Sequence, residues 1–229
     1  MAKSGVLVTR PEPGASETAR RLLALHHNPI IAPLLRIRPL VLAPCGGFGA
    51  VLVTSGNAVP CLPSSLHGTP LLAVGNATAE RARAAGFTQV VSADGDAAAL
   101  AALTRQSCQS GAALLFATAR GQGAPLATAL RAHGFVVHRR AVYAAHPATR
   151  MPPVATQALR DGSLTAAMFL SAETARAFVR LLPPGLAPAL AGVDALAIGQ
   201  PAADALCFLP WRRVRVSAKP TQDSLLAML

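Results

Sequence analysis

Short apolar blocks alternate with Ala-rich stretches whose apolar positions recur at helical spacing along most of this chain. Val6–Val8, Pro29–Ile31, Ala50–Val53, Leu71–Val74 and Phe87–Val91 read as strands in the first half. Ala113–Phe116, Phe135–Val137, Ala166–Leu170, Ala195–Ile198 and Arg213–Val216 read as strands in the second. Between them the spacing predicts helices over Ser16–Leu25, with Ser16 as N-cap, and over Ala77–Ala85, stopped by Gly86. Further helices are expected from Asp96 to Arg105, over Pro125–His133 before Gly134, over Ala172–Leu181 and Pro201–Leu209, and after Thr221. A helix starting near Ser55 or Asn57 must be short or bent, because Pro60 and Pro63 follow at once. Strand–helix alternation without hairpin signals argues for parallel sheets covered on both faces by helices, an α/β fold.

The pattern repeats itself. Val6-Leu-Val-Thr-Arg10, a helix, then Asn28–Ile31 has an echo in Leu114-Leu-Phe-Ala-Thr-Ala-Arg120, a helix, then Gly134–Val137. Val51–Ser55 followed by Leu72–Gly75 has an echo in Met168–Ser171 followed by Leu196–Gly199. Naming the first pattern A and the second B, the chain runs A, B, A, B. The middle B–A pair forms a domain without interruption, and the outer A and B form its twin. The expected division is 1–35 plus 148–229 for a discontinuous domain, 40–139 for the inserted one, and 36–39 with 140–147 as a two-stranded β linker. Two such thin crossings predict hinge motion.

Composition narrows the partners. Hydrophobic residues make up 52% and charged residues 14% of the 229, so a core is easily filled. No apolar run reaches the roughly 18 residues that a membrane span needs. Met1–Arg10 lacks the basic segment, apolar block and cleavage site of a secretory leader, so a cytoplasmic location is expected. Cys45, Cys61, Cys108 and Cys207 form no C-x-x-C pair and have no His at zinc-ligand spacing, which makes them reduced bystanders. The net charge is +11, and Lys3 and Lys219 are the only lysines among 21 basic residues. An excess of arginine implies an anionic partner. Aromatics are only 4%, poor material for base stacking, which argues against nucleic acid and for a small polyanion. Arg212-Arg213-Val214-Arg215 is the one run that keeps an RNA-binding reading open, and its signature is steep salt dependence. Gly121 and Gly123 give a bare G-x-G, weak support for dinucleotide binding.

Candidate chemistry sits where strands give way to helices. Thr54, Ser55 and Asn57, the run Gly75-Asn76-Ala77-Thr78, Ser171, and Gly199 with Gln200 all fall at such turns. Each offers unpaired N–H groups, hydroxyls and the positive end of a helix dipole, and such turns lie at the strand ends where α/β sheets bind ligands. Each also reads as an ordinary helix cap. Arg10 and Arg120 follow the A-pattern strands, and Arg38 and Arg140 flank the crossings; all four are suited to paired bonds with carboxylates, or to solvated surface positions. Among the histidines no Ser/His/Asp order emerges.

Val6-Leu-Val-Thr-Arg10-Pro11, Thr54-Ser55-Gly56-Asn57-Ala58-Val59, Val74-Gly75-Asn76-Ala77-Thr78-Ala79, Arg139–Tyr143, Phe169-Leu170-Ser171, Ile198-Gly199 and Pro220-Thr221, in this order, resemble the motifs of the uroporphyrinogen-III synthase family. The resemblance covers almost the whole chain. It implies two similar flavodoxin-like α/β lobes joined by a two-stranded linker, with the active site in the cleft between them. It implies a lyase that cyclises hydroxymethylbilane to uroporphyrinogen III with inversion of ring D and loss of water, a step toward haem, sirohaem and cobalamin. It implies no cofactor and no metal, a monomer, and possible hand-over of substrate from hydroxymethylbilane synthase. It places Tyr143, the only tyrosine, at the cleft, where its phenol serves the departing hydroxyl, and makes Arg10, Arg120 and the turn residues substrate-binding. Two stretches depart from the family: Gln200-Pro201-Ala202-Ala203 replaces hydroxyl residues after Gly199, and Pro60–Pro70 is short where a longer helix is usual. The altered turn motivates the alternative of a non-catalytic two-domain anion sensor on the same scaffold.

Overall fold

A computed structural model describes residues 5–42 and 46–229. Along the chain come β1 (Gly5–Val8), α1 (Gly14–Ala24), β2 (Asn28–Ile31), β3 (Leu35–Pro39), β4 (Ala50–Val53), β5 (Leu71–Ala73), α2 (Asn76–Ala84), β6 (Val90–Ser92) and α3 (Ala97–Ser107). Then follow β7 (Ala113–Ala119), α4 (Ala124–Ala132), β8 (Val136–Pro147), α5 (Pro153–Arg160), β9 (Leu164–Phe169), α6 (Ala172–Leu181), β10 (Asp194–Ala197), α7 (Gln200–Leu206), β11 (Arg213–Val216) and α8 (Gln222–Leu226). The residues up to Arg36 together with His146–Leu229 form one compact unit, and Ile37–Ala145 forms the other.

The two sheets share one plan. In the first unit the strand order is β11-β10-β9-β1-β2, and every neighbouring pair is parallel. In the second the order is β3-β8-β7-β4-β5-β6, parallel from β8 to β6. Reading β2-β1-β9-β10-β11 against β8-β7-β4-β5-β6, an A-pattern pair lies beside a B-pattern pair in both sheets. Within each unit all parallel strands therefore end on one edge, and the turns that follow them collect there.

Burial on both faces explains the unbroken apolar strands. Val51, Val53, Leu71, Ala73, Leu115 and Ala117 face a cluster closed by Ala79 and Ala82 of α2. Their neighbours Ala50, Leu52, Leu72, Leu114 and Phe116 face the opposite cluster, closed by Leu100 of α3 and Leu126 and Leu130 of α4. The period of two is the pleat, expressed as two cores. In the first unit Val6, Val8 and Met168 pack with Ala15 and Leu22 of α1 and Leu225 of α8. Outside that cluster, Phe169, Phe178 and Trp211 of the same unit form an aromatic group with ring centroids 5.3–5.8 Å apart.

Several elements differ from expectation. Ser16 lies inside α1, which starts at Gly14. Its N–H and hydroxyl donate to the Glu12 carboxylate at 3.0 and 2.9 Å, so a carboxylate two residues before the helix occupies its first turn. No α-helix follows Ser55; two 3-10 turns, Val59–Cys61 and Ser64–Leu66, take its place, because Pro60 and Pro63 deny the chain consecutive helical bonds. Phe87 is a core residue ahead of a strand that starts only at Val90. Helix α5 has no counterpart among the expected elements. The stretch 140–147 is no separate element but the continuation of one long strand, β8, which begins at Val136. The Leu40 N–H donates to the Val142 carbonyl and the Ala148 N–H to the Leu34 carbonyl, both at 2.9 Å. Beside β8, β3 therefore runs antiparallel, the exception to the parallel rule. Cys45 lies outside the described residues. Cys61, Cys108 and Cys207 are free thiols. Among the described residues no helix is long and apolar enough to cross a membrane, and no group of three or more His, Cys, Asp or Glu converges.

Candidate active site

The turn after β4 and the turn after β5 lie on the same edge of the second unit's sheet. In the first, the Asn57 N–H donates to Ser55 Oγ at 3.3 Å and the Ala58 N–H to the Ser55 carbonyl at 3.0 Å. Thr54, Ser55 and Asn57 are half-buried, and the Ser55 and Gly56 N–H groups have no acceptor among the described residues. The second turn opens α2. Gly75 is its N-cap, with extended backbone (φ −150°, ψ 165°) and no side-chain cap. Its carbonyl accepts from the Thr78 and Ala79 N–H groups, both at 3.1 Å, and the Asn76 and Ala77 N–H groups are left open. Neither the backbone angle nor crowding demands glycine at 75, since an added Cβ would meet nothing within 4 Å. The helices α3, α6 and α8 use Asp96, Ser171 and Thr221 as capping side chains, whereas the N-cap residues of α1, α2, α4, α5 and α7 supply none. Asn76 is exposed, and its amide donates to Asp94 Oδ1 at 2.7 Å; Thr78 is nearly buried.

Tyr143 belongs to the same edge. It pairs with Ala119 at the end of β7, and its carbonyl accepts from the Arg120 N–H at 2.8 Å. Its side chain is 5% exposed and shares one buried cluster with Val53, Ala58, Val59 and Ala79, the undersides of the two turns. Arg120 itself is exposed, and its guanidinium has no partner among the described residues. Gly121 and Gly123, both at positive φ (79° and 82°), carry the chain from β7 into α4, and a Cβ at 123 would strike Phe116. They serve a tight turn.

In the first unit the edge carries Arg10, Ser171 and Gly199. Arg10 is turned inward. Its Nη1 donates to Thr18 Oγ1 at 3.3 Å and to Gln222 Oε1 at 3.0 Å, and its guanidinium packs against Gly14, where an added Cβ would lie 2.5 Å from Nε. Ser171 caps α6, its Oγ accepting from the Thr174 N–H at 3.1 Å. Gly199 precedes α7 with extended backbone and no side-chain cap, matching Gly75, and its carbonyl accepts from Ala202 and Ala203. The Gln200 amide donates to Asp204 Oδ1 at 2.7 Å, which holds the side chain along its own helix.

Other basic candidates are spread out. Arg38 is exposed on β3, and Arg140 Nη1 reaches only the neighbouring Arg139 carbonyl at 3.5 Å. The run 212–215 is drawn onto one buried acid: Arg212 and Arg213 both donate to Asp194, whose carboxyl is held down at about 2 chiefly by the Arg212 bond. Arg81, not among the candidates read from the sequence, stands beside the turn after β4. It sits on α2, and its guanidinium packs against Gly56 of the neighbouring turn. Arg81 stands four residues after Ala77 and three after Thr78, on the helix face of that first turn.

Two doubly covered parallel sheets of one plan, each with a glycine turn lacking a side-chain cap at its carboxyl edge, define an α/β protein with open backbone donors at its strand ends. The family model described as Uroporphyrinogen-III synthase HemD matches residues 16–227, nearly the whole chain. The chain belongs to that family and is an enzyme of tetrapyrrole biosynthesis. Among solved structures it is similar to the uroporphyrinogen-III synthetase of Helicobacter pylori, with TM-score 0.62 and 19% identity over 99% of this chain and 97% of that one. It is also similar to a mutant uroporphyrinogen III synthase of Thermus thermophilus, with TM-score 0.51 and 21% identity over 98% and 96%. These two likenesses are of fold. No curated protein gave a match.

Proposed function

We propose that this enzyme is a cyclising hydro-lyase that converts hydroxymethylbilane to uroporphyrinogen III. Its substrate carries an acetate and a propionate on each pyrrole, so the protein needs many anion-binding donors more than it needs reactive groups. Loss of the terminal hydroxyl leaves an azafulvene. The substituted carbon of ring D attacks it, a spiro intermediate forms and reopens, and closure leaves ring D inverted. The pyrroles supply the electron pairs. The protein's task is to hold the chain curled and to keep water from the azafulvene.

The observation that carries the reading is Gly75, a glycine required by neither conformation nor space, which leaves the Asn76 and Ala77 N–H groups open at the positive end of α2. On this reading the open donors of Ser55, Gly56, Asn76 and Ala77 bind substrate carboxylates, with Thr54, Asn57 and Thr78 shaping the turns. Ser171, Gly199 and Gln200 serve from the other unit, Gln200 through its backbone N–H because its amide is engaged with Asp204. Arg120 meets a carboxylate. Arg10 acts mainly by fixing the turn after β1, given its bonds to Thr18 and Gln222. Tyr143, beneath both turns of its unit, supplies the proton that leaves with the hydroxyl as water. The enzyme works as a cytoplasmic monomer that receives its unstable substrate from hydroxymethylbilane synthase.

The test is incubation of pure protein with hydroxymethylbilane generated in place, then oxidation and separation of the isomers. Excess isomer III is expected. Isomer I alone, at the uncatalysed rate, would sink the proposal.

A further inference from the structure

Among the described residues His26 and Asp94 are the non-glycines at positive φ. Asp94, at 46°, takes a left-handed backbone that Asp and Asn enter more readily than other side chains. The loop that puts it there, 93–95 between β6 and α3, is fastened along the turn after β5. The Ala93 N–H donates to the Ala73 carbonyl at 2.8 Å and the Gly95 N–H to the Val74 carbonyl at 3.0 Å. The Asp94 N–H donates to Ser92 Oγ at 3.1 Å. A Cβ on Gly95 would lie 2.7 Å from that of Ala99, so glycine lets the loop close onto α3. The cap of α3 is Asp96, which leaves the Asp94 carboxylate for another task. Its Oδ1 accepts from Asn76 Nδ2 at 2.7 Å.

That bond decides which way Asn76 presents its amide. A carboxylate only accepts, so the NH2 group must face Asp94, and the planar amide turns Oδ1 to the other side. Among the described residues nothing donates to that oxygen. An asparagine at the start of a helix otherwise competes for nearby backbone N–H groups with its own oxygen. Asp94 draws the amide out of that competition, and the Asn76 and Ala77 N–H groups stay open. The turn therefore offers two kinds of group side by side: backbone donors, and one amide acceptor. A carboxylate uses only the donors. The acceptor needs an N–H, and a pyrrole with acetate and propionate arms brings both.

We infer that Asp94 is a positioning residue for substrate: it sets the Asn76 amide so that Oδ1 accepts from a pyrrole N–H while an arm of the same ligand meets the backbone donors. The inference rests on the proposed function in taking the ligand to be a pyrrole polycarboxylate. A carboxylate beside an anion site also repels its guest. Asp94 is exposed, where water and salt screen that repulsion, so the directed bond to Asn76 outweighs it.

The test compares wild type with Asp94→Gly, Asp94→Asn, Asn76→Ala and the Asp94→Gly, Asn76→Ala double variant. Glycine keeps the left-handed backbone without the carboxylate, and asparagine keeps both the backbone and an oxygen for the Asn76 amide. Anaerobic calorimetry with uroporphyrinogen III is run beside thermal unfolding and isomer-resolved kinetics. Asp94→Gly is expected to weaken binding and raise KM about three- to tenfold, with kcat and unfolding temperature nearly held. Asp94→Asn should recover most of the loss. Asn76→Ala should lose at least as much, and removing Asp94 in that background should add nothing. Zinc uroporphyrin III, with the same carboxylates and no N–H, should bind more weakly, and what binding it shows should be indifferent to Asp94→Gly. Affinity of Asp94→Gly equal to or tighter than wild type overturns the inference. So does a full loss in Asp94→Asn, which would make the charge the active feature, or an equal loss for the zinc complex, which would make Asp94 a support of the whole turn. Absence of saturable binding by the wild type overturns it as well. A wild type that binds uroporphyrinogen III and forms only isomer I refutes the proposed reaction, and the Asp94 comparison is then read from binding alone.

Discussion

Arg212 Nε donates to Oδ1 of Asp194 at 2.7 Å, and Arg213 Nη2 reaches Oδ2 of the same carboxylate at 3.2 Å. Asp194 opens β10, its side chain is 6% exposed, and Arg213 is its register partner on β11. The pair of guanidinium groups fastens the edge strand by its first residues. The Arg212 bond leads in holding the Asp194 carboxyl at about 2. An unfolded chain would titrate it near 4. The depressed folded value means this fastening is fully present above about pH 4 and is lost as pH falls through about 2. Asp194→Asn should cost about 1–2 kcal/mol at neutral pH, limited by the solvent exposure of both arginines, and should flatten the acid limb of stability between those values. Chemical denaturation at a series of pH values measures both. An unchanged acid limb would refute the assignment.

Tyr143→Phe keeps the buried ring and removes the hydroxyl. Turnover is expected to fall by at least about tenfold with little change in KM, as for loss of a proton donor. Tyr143→Ala should also destabilise by about 3 kcal/mol, because the ring lies in a closed cluster. Steady-state kinetics and unfolding together separate the two roles, and equal turnover by the Phe variant removes the phenol from the chemistry.

Gly75→Ser is the informative substitution at the turn. The backbone and the open space accept a serine, whose hydroxyl would cap α2 and stabilise it by a few tenths of a kcal/mol. The same hydroxyl competes for the N–H groups assigned to a carboxylate, so KM should rise several-fold while thermal stability holds or improves. Stability and KM moving together in the favourable direction would show that the open N-terminus binds nothing.

Binding of a polycarboxylate through guanidinium and N–H donors is screened by salt. KM should rise steadily as NaCl is raised from low to physiological concentration and beyond, with kcat nearly constant. An initial-rate series at several salt levels gives the answer, and a flat KM counts against an ionic contribution.

Much of this fold is legible in the chain. The helices from Ala172 and after Thr221, and the strand Arg213–Val216, stand where spacing and caps put them, because both signals are local. Gly86 and Gly134, at φ 100° and 85°, end their helices for the same reason. The misreadings have physical causes too. At Ser16 a competing carboxylate, Glu12, took over the cap from outside the helix. After Ser55 the prolines announce a short or bent helix, but their outcome, two short 3-10 turns, depends on packing Val59, Leu62 and Leu66 into the core. β8 reads as two pieces because its arginines interrupt an apolar pattern, whereas backbone pairing with β7 continues across them from Val136 to Tyr143 with one register shift before Ala119.

The sequence by itself determined the alternation of elements, the A, B, A, B echo and the small-residue turns, since each depends on residues within a few positions of one another. The tertiary structure decided which donors stay open and where the arginines go. It turned Arg10 onto Gln222, 212 positions away, collected Arg212 and Arg213 on Asp194, and set Arg81 upon Gly56. A guanidinium on a long flexible stem takes whichever acceptor or flat surface the folded chain brings within reach, and that choice is written in no local pattern.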